Sequence, residues 1–257
     1  MSQRFNLQLA TDSLSADAQQ LGIPYEQLQQ IRIRVHISIV QLPQPQLWFC
    51  YDIQLPSSIL AEQLDWPTWE QAQVGFTDYL WERTCLECFI SGNAIADNKN
   101  QNRYIEINAS PSGQYALYQF DDYRTPSTLP PSPLLKADSI TPARIHWPDR
   151  LSSVWREQTT TLSPPAKPIN DAANLAAGSF TPRYYYRRRF GLLLDELAVS
   201  FLHNDISTDT GIELIHPCVI LRFGNTHLYF APTHASPPDF HQRRYWSRFD
   251  YQTALAK

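Results

Sequence analysis

The chain has 257 residues, of which 43% are hydrophobic, 12% aromatic and 18% charged, and its formal net charge is −4. This composition excludes a disordered chain, because such chains are rich in charge and poor in aromatic residues. The eight glycines form neither of the usual phosphate-binding loops, and the acidic balance lacks the basic footprint of a nucleic-acid-binding domain. We therefore expect no nucleic-acid partner.

The sequence gives no sign of a membrane span or a secretory leader. No apolar run approaches the roughly 18 residues of a transmembrane helix. Residues 1–15 lack the apolar centre of a signal peptide, and four cysteines are too few for a disulfide framework. The sequence thus predicts a single cytoplasmic domain over residues 1–257, without a membrane partner.

Strands dominate the first half of the chain. Residues 31–39 place Ile or Val at every odd position and polar side chains at the even ones, a period typical of a half-buried strand. A second β-rich run at 47–53 follows across a proline-containing loop, so the two predict an antiparallel hairpin. Residues 84–90 and 104–108 also alternate, and residues 114–120 are a further aromatic strand, so that the three predict a three-strand meander.

The second half combines strands with long loops. Proline and small residues are frequent at 125–142 and 163–182, which predicts surface-loop insertions, and apolar spacings of three and four predict a helix at 192–202. Further strands are expected at 143–147, 184–190, 217–223 and 226–230. Many short strands separated by turns predict an all-β fold, a two-sheet antiparallel β-sandwich with minor helical insertions.

One face of the predicted meander gathers polar side chains. Side chains two apart on a strand share a face, and neighbouring strands lie about 4.8 Å apart. This geometry places together Trp81, Arg83, Glu87, Glu106 and Asn108. Carboxylates, amides and guanidinium groups hydrogen-bond to hydroxyls, and an indole ring offers a flat apolar surface. The set suits a polyhydroxylated ligand, and its alternative is an ordinary solvated sheet face with cross-strand charge pairs.

A catalytic alternative uses Glu87 and Glu106 as an acid and a nucleophile or base. Glycosidases place two carboxyls about 5 to 9.5 Å apart, which neighbouring strands can supply. Arg83 beside them, however, would hold both groups ionised instead of raising one pKa. We therefore expect no enzymatic activity, and a sugar-active enzyme or a protein-interaction module without a small ligand are the alternatives.

The sequence predicts neither a metal nor a cofactor. Cys85 and Cys88 match a C-x-x-C pattern, but on a strand they face opposite sides, unlike redox or zinc sites. The segment 233–241 contains His and Asp residues, but a third metal ligand cannot be assigned to it. The basic run 187–189 follows three tyrosines, and strand alternation would divide it between two faces.

A longer pattern connects these residues. It comprises Leu80-Trp81-Glu82-Arg83-Thr84-Cys85-Leu86-Glu87-Cys88-Phe89, Tyr104-x-Glu106-x-Asn108-x-Ser110-Pro111-Ser112-Gly113, Tyr123-Arg124, Leu228-Tyr229-Phe230-Ala231, His234 and Pro238-Asp239-Phe240-His241. This pattern resembles the bacterial DOMON-like domains, which are similar to family-9 carbohydrate-binding modules. The resemblance implies a β-sandwich of about ten strands that binds a ligand, with sugars or haem as the ligands of better-known relatives. Haem-binding members use a Met and a His as axial ligands, and the only methionine here is Met1.

Together these observations predict a domain that binds a small polar ligand, a carbohydrate, without catalysing a reaction. The expected ligand-binding residues are Trp81, Arg83, Glu87, Glu106, Asn108, Tyr123, Arg124, Asp239 and His241. The tryptophan would stack on the ligand, the polar residues of the meander would bond its hydroxyls, and the last four would close the rim.

Overall fold

Strands dominate the computed structural model, which describes residues 1–41, 43–92, 102–136, 138–148, 160–161, 184–194 and 211–255. The strands are β1 (Gln3–Leu9), β2 (Arg32–Val40), β3 (Gln46–Leu55), β4 (Gly75–Phe76), β5 (Cys85–Gly92), β6 (Tyr104–Ala109), β7 (Gln114–Phe120), β8 (Ile145–His146), β9 (Thr160–Thr161), β10 (Tyr184–Leu193), β11 (Ile212–Phe223), β12 (Thr226–Ala231) and β13 (Ser247–Arg248). The helices are α1 (Leu14–Leu21), α2 (Tyr25–Gln29), α3 (Ser58–Gln63) and α4 (Tyr251–Ala254). None of these described helices is long and apolar enough to cross a membrane.

The strands form one curled sheet in the order β4-β7-β6-β5-β11-β12-β1-β2-β3-β10-β8. Neighbours along this path are antiparallel except β4 and β7, which run parallel. The sheet curls at β1, because residues 3–7 pair with β2 whereas residues 8–9 pair with β12. The prediction of a mostly β fold is therefore confirmed. Two separate sheets packed as a sandwich are not confirmed.

The period-two runs form the strands that they predict. In β2 and β3 every inward side chain is apolar and buried, and Val35 lies opposite Tyr51 in the antiparallel ladder. The meander of β5, β6 and β7 is also confirmed, with Ile107 paired to Cys88 on one side and Leu117 on the other. Alternation is reliable here because one face of each strand enters the core.

The main apolar core draws on both halves of the curled sheet. It contains Val35 and Tyr51 from one half, and Leu86 and Ile107 from the other. The Tyr51 hydroxyl donates a hydrogen bond of 2.7 Å to the backbone carbonyl of Glu87, and thus joins β3 to β5 inside this core. Packing across the core therefore fixes which face of the meander points away from it.

Within the described residues one expectation for the connecting segments is wrong and a second is incomplete. Leu192 lies in β10 and is buried beside Leu194, since a short apolar run fits a strand as well as a helix. Residues 125–142 are not only a surface loop, because Leu134 is buried in the core and its amide bonds to Leu117 of β7. The predicted insertion at 163–182 and the predicted helix beyond residue 194 lie outside the described residues.

Removal of the Tyr51 hydroxyl tests the link between the two halves. We expect Tyr51→Phe to lower the free energy of unfolding by about 1 kcal/mol, because a buried hydrogen bond is lost without a change in packing. The melting temperature should fall by about 2–4 °C for a chain of this size.

The matched control is Tyr185→Phe, which removes a hydroxyl bonded to Gln54 on the surface. Its effect should stay below about 0.5 kcal/mol in urea unfolding. Equal effects of the two substitutions would contradict a special role of the buried bond.

Candidate functional site

Cross-strand register brings two carboxyl groups together on the face of the meander that points away from the main core. Glu87 of β5 lies opposite Asn108 of β6, and Glu106 lies opposite Phe89 of β5 and Tyr118 of β7. Strand alternation predicts this shared face of Glu87, Glu106 and Asn108, and the structure places them on it. We refer to Glu87 and Glu106 as the carboxyl pair.

The carboxyl pair is buried, so the alternative of an ordinary solvated sheet face is wrong. Glu87 is 2% exposed and Glu106 is 5% exposed. A second apolar cluster covers this side of the sheet, and its members include Phe240 and Trp246 from the C-terminal segment. Period-two alternation cannot reveal this cover, because it comes from a segment more than a hundred residues further along the chain.

Hydrogen bonds satisfy only some of the oxygen atoms of the carboxyl pair. The Asn108 amide nitrogen donates to Glu106 Oε1 at 2.7 Å, and the Cys85 thiol donates to Asn108 Oδ1 at 3.5 Å. Glu87 Oε1 is buried and has no hydrogen-bond partner among the described residues. An ionised carboxylate in this position would be costly, since burial without full hydrogen bonding disfavours charge.

Both carboxyl groups therefore hold their protons more tightly than usual. Burial raises the pKa of Glu106 to about 7, although the Asn108 hydrogen bond and the charge of Arg124 oppose the shift. Burial also raises the pKa of Glu87 well above its ordinary value, and the negative charge of Glu106 raises it further. At neutral pH the carboxyl pair thus retains at least one proton.

A histidine connects the carboxyl pair to the molecular surface. His241 Nδ1 lies 2.7 Å from the Tyr104 hydroxyl, and His241 Nε2 lies 3.8 Å from Glu106 Oε2. Burial, followed by the positive charge of Arg124, lowers the pKa of His241 to about 3. The imidazole is accordingly neutral at neutral pH.

The four residues expected to close the site do lie together, and we call Tyr123, Arg124, Asp239 and His241 the rim. Asp239 accepts hydrogen bonds from the Tyr123 hydroxyl at 2.5 Å, from Arg124 at 3.0 Å and from the His241 backbone amide at 3.1 Å. Burial raises the pKa of Asp239, but the hydrogen bonds from Tyr123 and Arg124 outweigh it, so that the net pKa is lowered. The Arg124 amide also donates to the Tyr104 hydroxyl at 3.1 Å.

The two remaining expected residues lie on the segment that precedes β5 and not on the strands of the carboxyl pair. Arg83 is exposed on extended backbone that precedes β5, and among the described residues it forms no ion pair with Glu87 or Glu106. The expectation that Arg83 keeps both carboxyls ionised is therefore wrong, and the cation that lowers the pKa of Glu106 is Arg124. Trp81 lies on a short 3-10 helix, half-buried, with its ring centroid 5.9 Å from that of Tyr118.

The sequence prediction assigns no role in the site to two aromatic residues of this face. Tyr104 and Tyr118 lie on the same side of the sheet as Glu106, and the Tyr118 hydroxyl donates to Asp78 at 2.8 Å. Strand alternation in β6 already places Tyr104 on this face, and the pairing of Tyr118 with Glu106 adds the second tyrosine. Cys85 and Cys88 belong to different apolar clusters on opposite faces, as predicted.

Among the described residues, no group of three or more His, Cys, Asp or Glu side chains is arranged to hold a metal ion. Comparisons with protein-family models, curated proteins and solved structures give no match. The resemblance to the DOMON-like domains thus stays a prediction from the sequence motif. A function must be inferred from the site itself.

The raised pKa of Glu106 predicts a pH-dependent stability difference between the wild type and Glu106→Gln. A carboxyl whose folded pKa lies above its unfolded value stabilises the folded state at low pH, and this contribution is lost as pH rises from about 4.5 to about 7. Glu106→Gln has no carboxyl group to ionise at this position, so it does not lose this stability as the pH rises. Its stability relative to the wild type should rise between pH 5 and pH 8, by at most about 1.4 kcal/mol per pH unit.

Urea unfolding of both proteins at pH 5, 6, 7 and 8 measures this difference. Glu62→Gln, at an exposed position on α3, is the control for removal of a carboxyl group that is not buried. A constant difference for Glu106→Gln would show that this carboxyl titrates normally.

Proposed function

We propose that the protein binds a small polyhydroxylated ligand, a carbohydrate, at the rim above Glu106 and does not catalyse its conversion. The observation that carries this proposal is the continuous contact from the partly exposed rim through His241 to a buried carboxyl group. Buried ionisable groups with perturbed pKa values occur preferentially at functional sites.

The protonation states of the site suit hydroxyl groups. A neutral imidazole, a protonated carboxyl and a tyrosine hydroxyl each combine donor and acceptor capacity, as sugar hydroxyls do. Arg124 and Asp239 add a charged donor and a charged acceptor at the more exposed edge, where side-chain exposure is 54% for Arg124. Trp81 and Tyr79 supply aromatic surface beside β5, with ring centroids 5.3 Å apart.

The fold proposed for this function is a sandwich of the DOMON-like kind, with the two halves of the curled sheet as its layers. Support comes from the single apolar core that contains side chains of both halves, and from the Tyr51 bond to Glu87 across it. In this arrangement the carboxyl pair lies on the outer face of one layer, under the C-terminal segment.

A sugar-active enzyme is less favoured. The main argument against it from the sequence, that Arg83 would keep both carboxyl groups ionised, nevertheless no longer holds. The raised pKa of Glu106 would suit a general acid. A glycosidase, however, needs both carboxyls beside the scissile bond, and Glu87 is 2% exposed beneath its neighbours. Glu106 alone faces the rim, so the pair supports binding better than bond cleavage.

A thermal-shift screen against mono- and oligosaccharides and sugar acids tests the proposed binding. A ligand that binds only the folded state stabilises it by about 2.7 kcal/mol at a hundredfold excess over Kd. We expect Arg124→Gln and Glu106→Gln to weaken binding of any such sugar at least tenfold in calorimetric titration. Arg83→Gln is the matched control and should bind like the wild type, because Arg83 is exposed and forms no ion pair with either carboxyl group among the described residues.

The screen also separates binding from the competing interpretations. If no sugar stabilises the wild type while Arg124→Gln still melts at a lower temperature, the rim only anchors the C-terminal segment and the proposal fails. Release of reducing ends from a glycoside that disappears in Glu87→Gln would replace binding by catalysis.

A further inference from the structure

The outward face of β1, β2, β3 and β10 carries a concentration of positive charge that the carbohydrate proposal does not use. We call it the basic face, and its described charged residues and histidine are Arg4, Arg32, Arg34, His36, Asp52, Arg187 and Arg189. Among the residues that the structure describes, five arginines thus share this surface with one aspartate, although the formal net charge of the whole chain is −4.

Strand register arranges these side chains in rows. One row runs across the sheet from Arg34 through Asp52 to Arg187, and the next runs from Arg4 through His36 towards Arg189. Neighbouring strands lie about 4.8 Å apart, and successive rows about 6.7 Å apart along the strands. The basic face is therefore a grid of cations on a rigid four-strand scaffold.

The charges in this grid act on one another. Burial lowers the pKa of His36, Asp52 opposes this shift, and the positive charges of Arg4, Arg187 and Arg34 lower it further. Asp52 accepts a hydrogen bond from Arg187 and lies 3.8 Å from His36, so it offsets only part of the positive charge. Arg4, Arg34 and Arg187 are all exposed.

Aromatic side chains lie within the same grid. The Tyr185 side chain is 41% exposed, and its hydroxyl accepts a hydrogen bond from Gln54 at 3.0 Å. Trp48 lies against the backbone of Gly191, where an added Cβ would come within 2.9 Å of the indole ring. The Arg189 guanidinium lies 4.5 Å from the Trp48 ring centroid. The Tyr185 ring is thus exposed on the face that carries the arginines.

We propose that the basic face binds single-stranded nucleic acid. Its cations are all arginines, whose planar fork of donors matches phosphate oxygens, and regular spacing suits a repeating phosphate backbone. An open sheet that combines positive charge with an exposed aromatic ring is a typical platform for unpaired bases. An acidic peptide would also satisfy the arginines, but it would not use the exposed ring.

This proposal departs from the expectation of no nucleic-acid partner, which rests on net charge and on the division of the run 187–189. The division does occur: Arg188 is buried, and its Nε donates to the Pro111 carbonyl at 2.8 Å on the opposite face. The other strands, however, contribute the remaining arginines to the face that contains Arg187 and Arg189. Net charge does not report this local arrangement.

Fluorescence anisotropy with a labelled 20-nucleotide oligo-dT at 50 to 200 mM salt tests the proposal. We expect Arg34→Glu and Arg187→Glu each to weaken binding about tenfold or more, and to reduce the salt slope by about 0.7 for each lost phosphate contact. Tyr185→Ala should weaken binding about tenfold through lost base stacking. Thermal melts would verify that each variant remains folded.

The matched control is Arg103→Glu, because Arg103 donates to Asp121 through the same Nε-to-carboxylate contact on the other half of the sheet. Binding by this variant should stay within twofold of the wild type. Absence of binding at 50 mM salt, or equal losses in Arg103→Glu, would overturn the proposal. If polyglutamate displaced the oligo-dT and Tyr185→Ala bound it as tightly as the wild type does, the proposal would be overturned in favour of an acidic protein partner. None of these variants alters the rim, so the outcome is independent of sugar binding.

Discussion

Burial of two carboxyl groups on one sheet face is the constraint on which the site depends. Ionised carboxylates lose hydration in such an environment, and the structure offsets this loss by retaining a proton and by supplying the Asn108 amide to Glu106. The same burial makes His241 neutral. Three ionisable side chains thus become neutral or nearly neutral donors and acceptors, so the chemistry of the site follows from its cover more than from its residue types.

The cover and the carboxyl pair come from distant parts of the chain. The contact between Tyr104 and His241 spans 137 residues, and that between Tyr123 and Asp239 spans 116. Such contacts form only when the sheet has been completed through β11 and β12, because these strands carry the chain to the C-terminal segment. Folding of the sheet and assembly of the rim are therefore linked, and changes in the rim would affect both stability and binding.

Sequence alternation predicts the strands and the shared face of Glu87 and Glu106, since side-chain direction on a strand depends only on residue parity. It cannot predict the burial of that face, which depends on long-range contacts, and it fails for Arg83 because β5 begins only at Cys85. Helix α1 was missed although Leu14, Ala18 and Leu21 are buried at helical spacing, and Gly22 ends the helix with a positive φ of 67°. The short length of this helix weakens its periodic signal.

The two halves of the curled sheet differ because only one of them is covered on both faces in the described structure. Where the C-terminal segment packs, the outward residues are aromatic, or polar side chains that burial forces towards neutrality. On β1, β2, β3 and β10 the outward side chains include five arginines, which must keep their charge and therefore require water or an anion. A single topology thus produces a neutral polar site and a cationic surface on one sheet. The acidic net charge of the chain conceals this difference, because it averages over both halves.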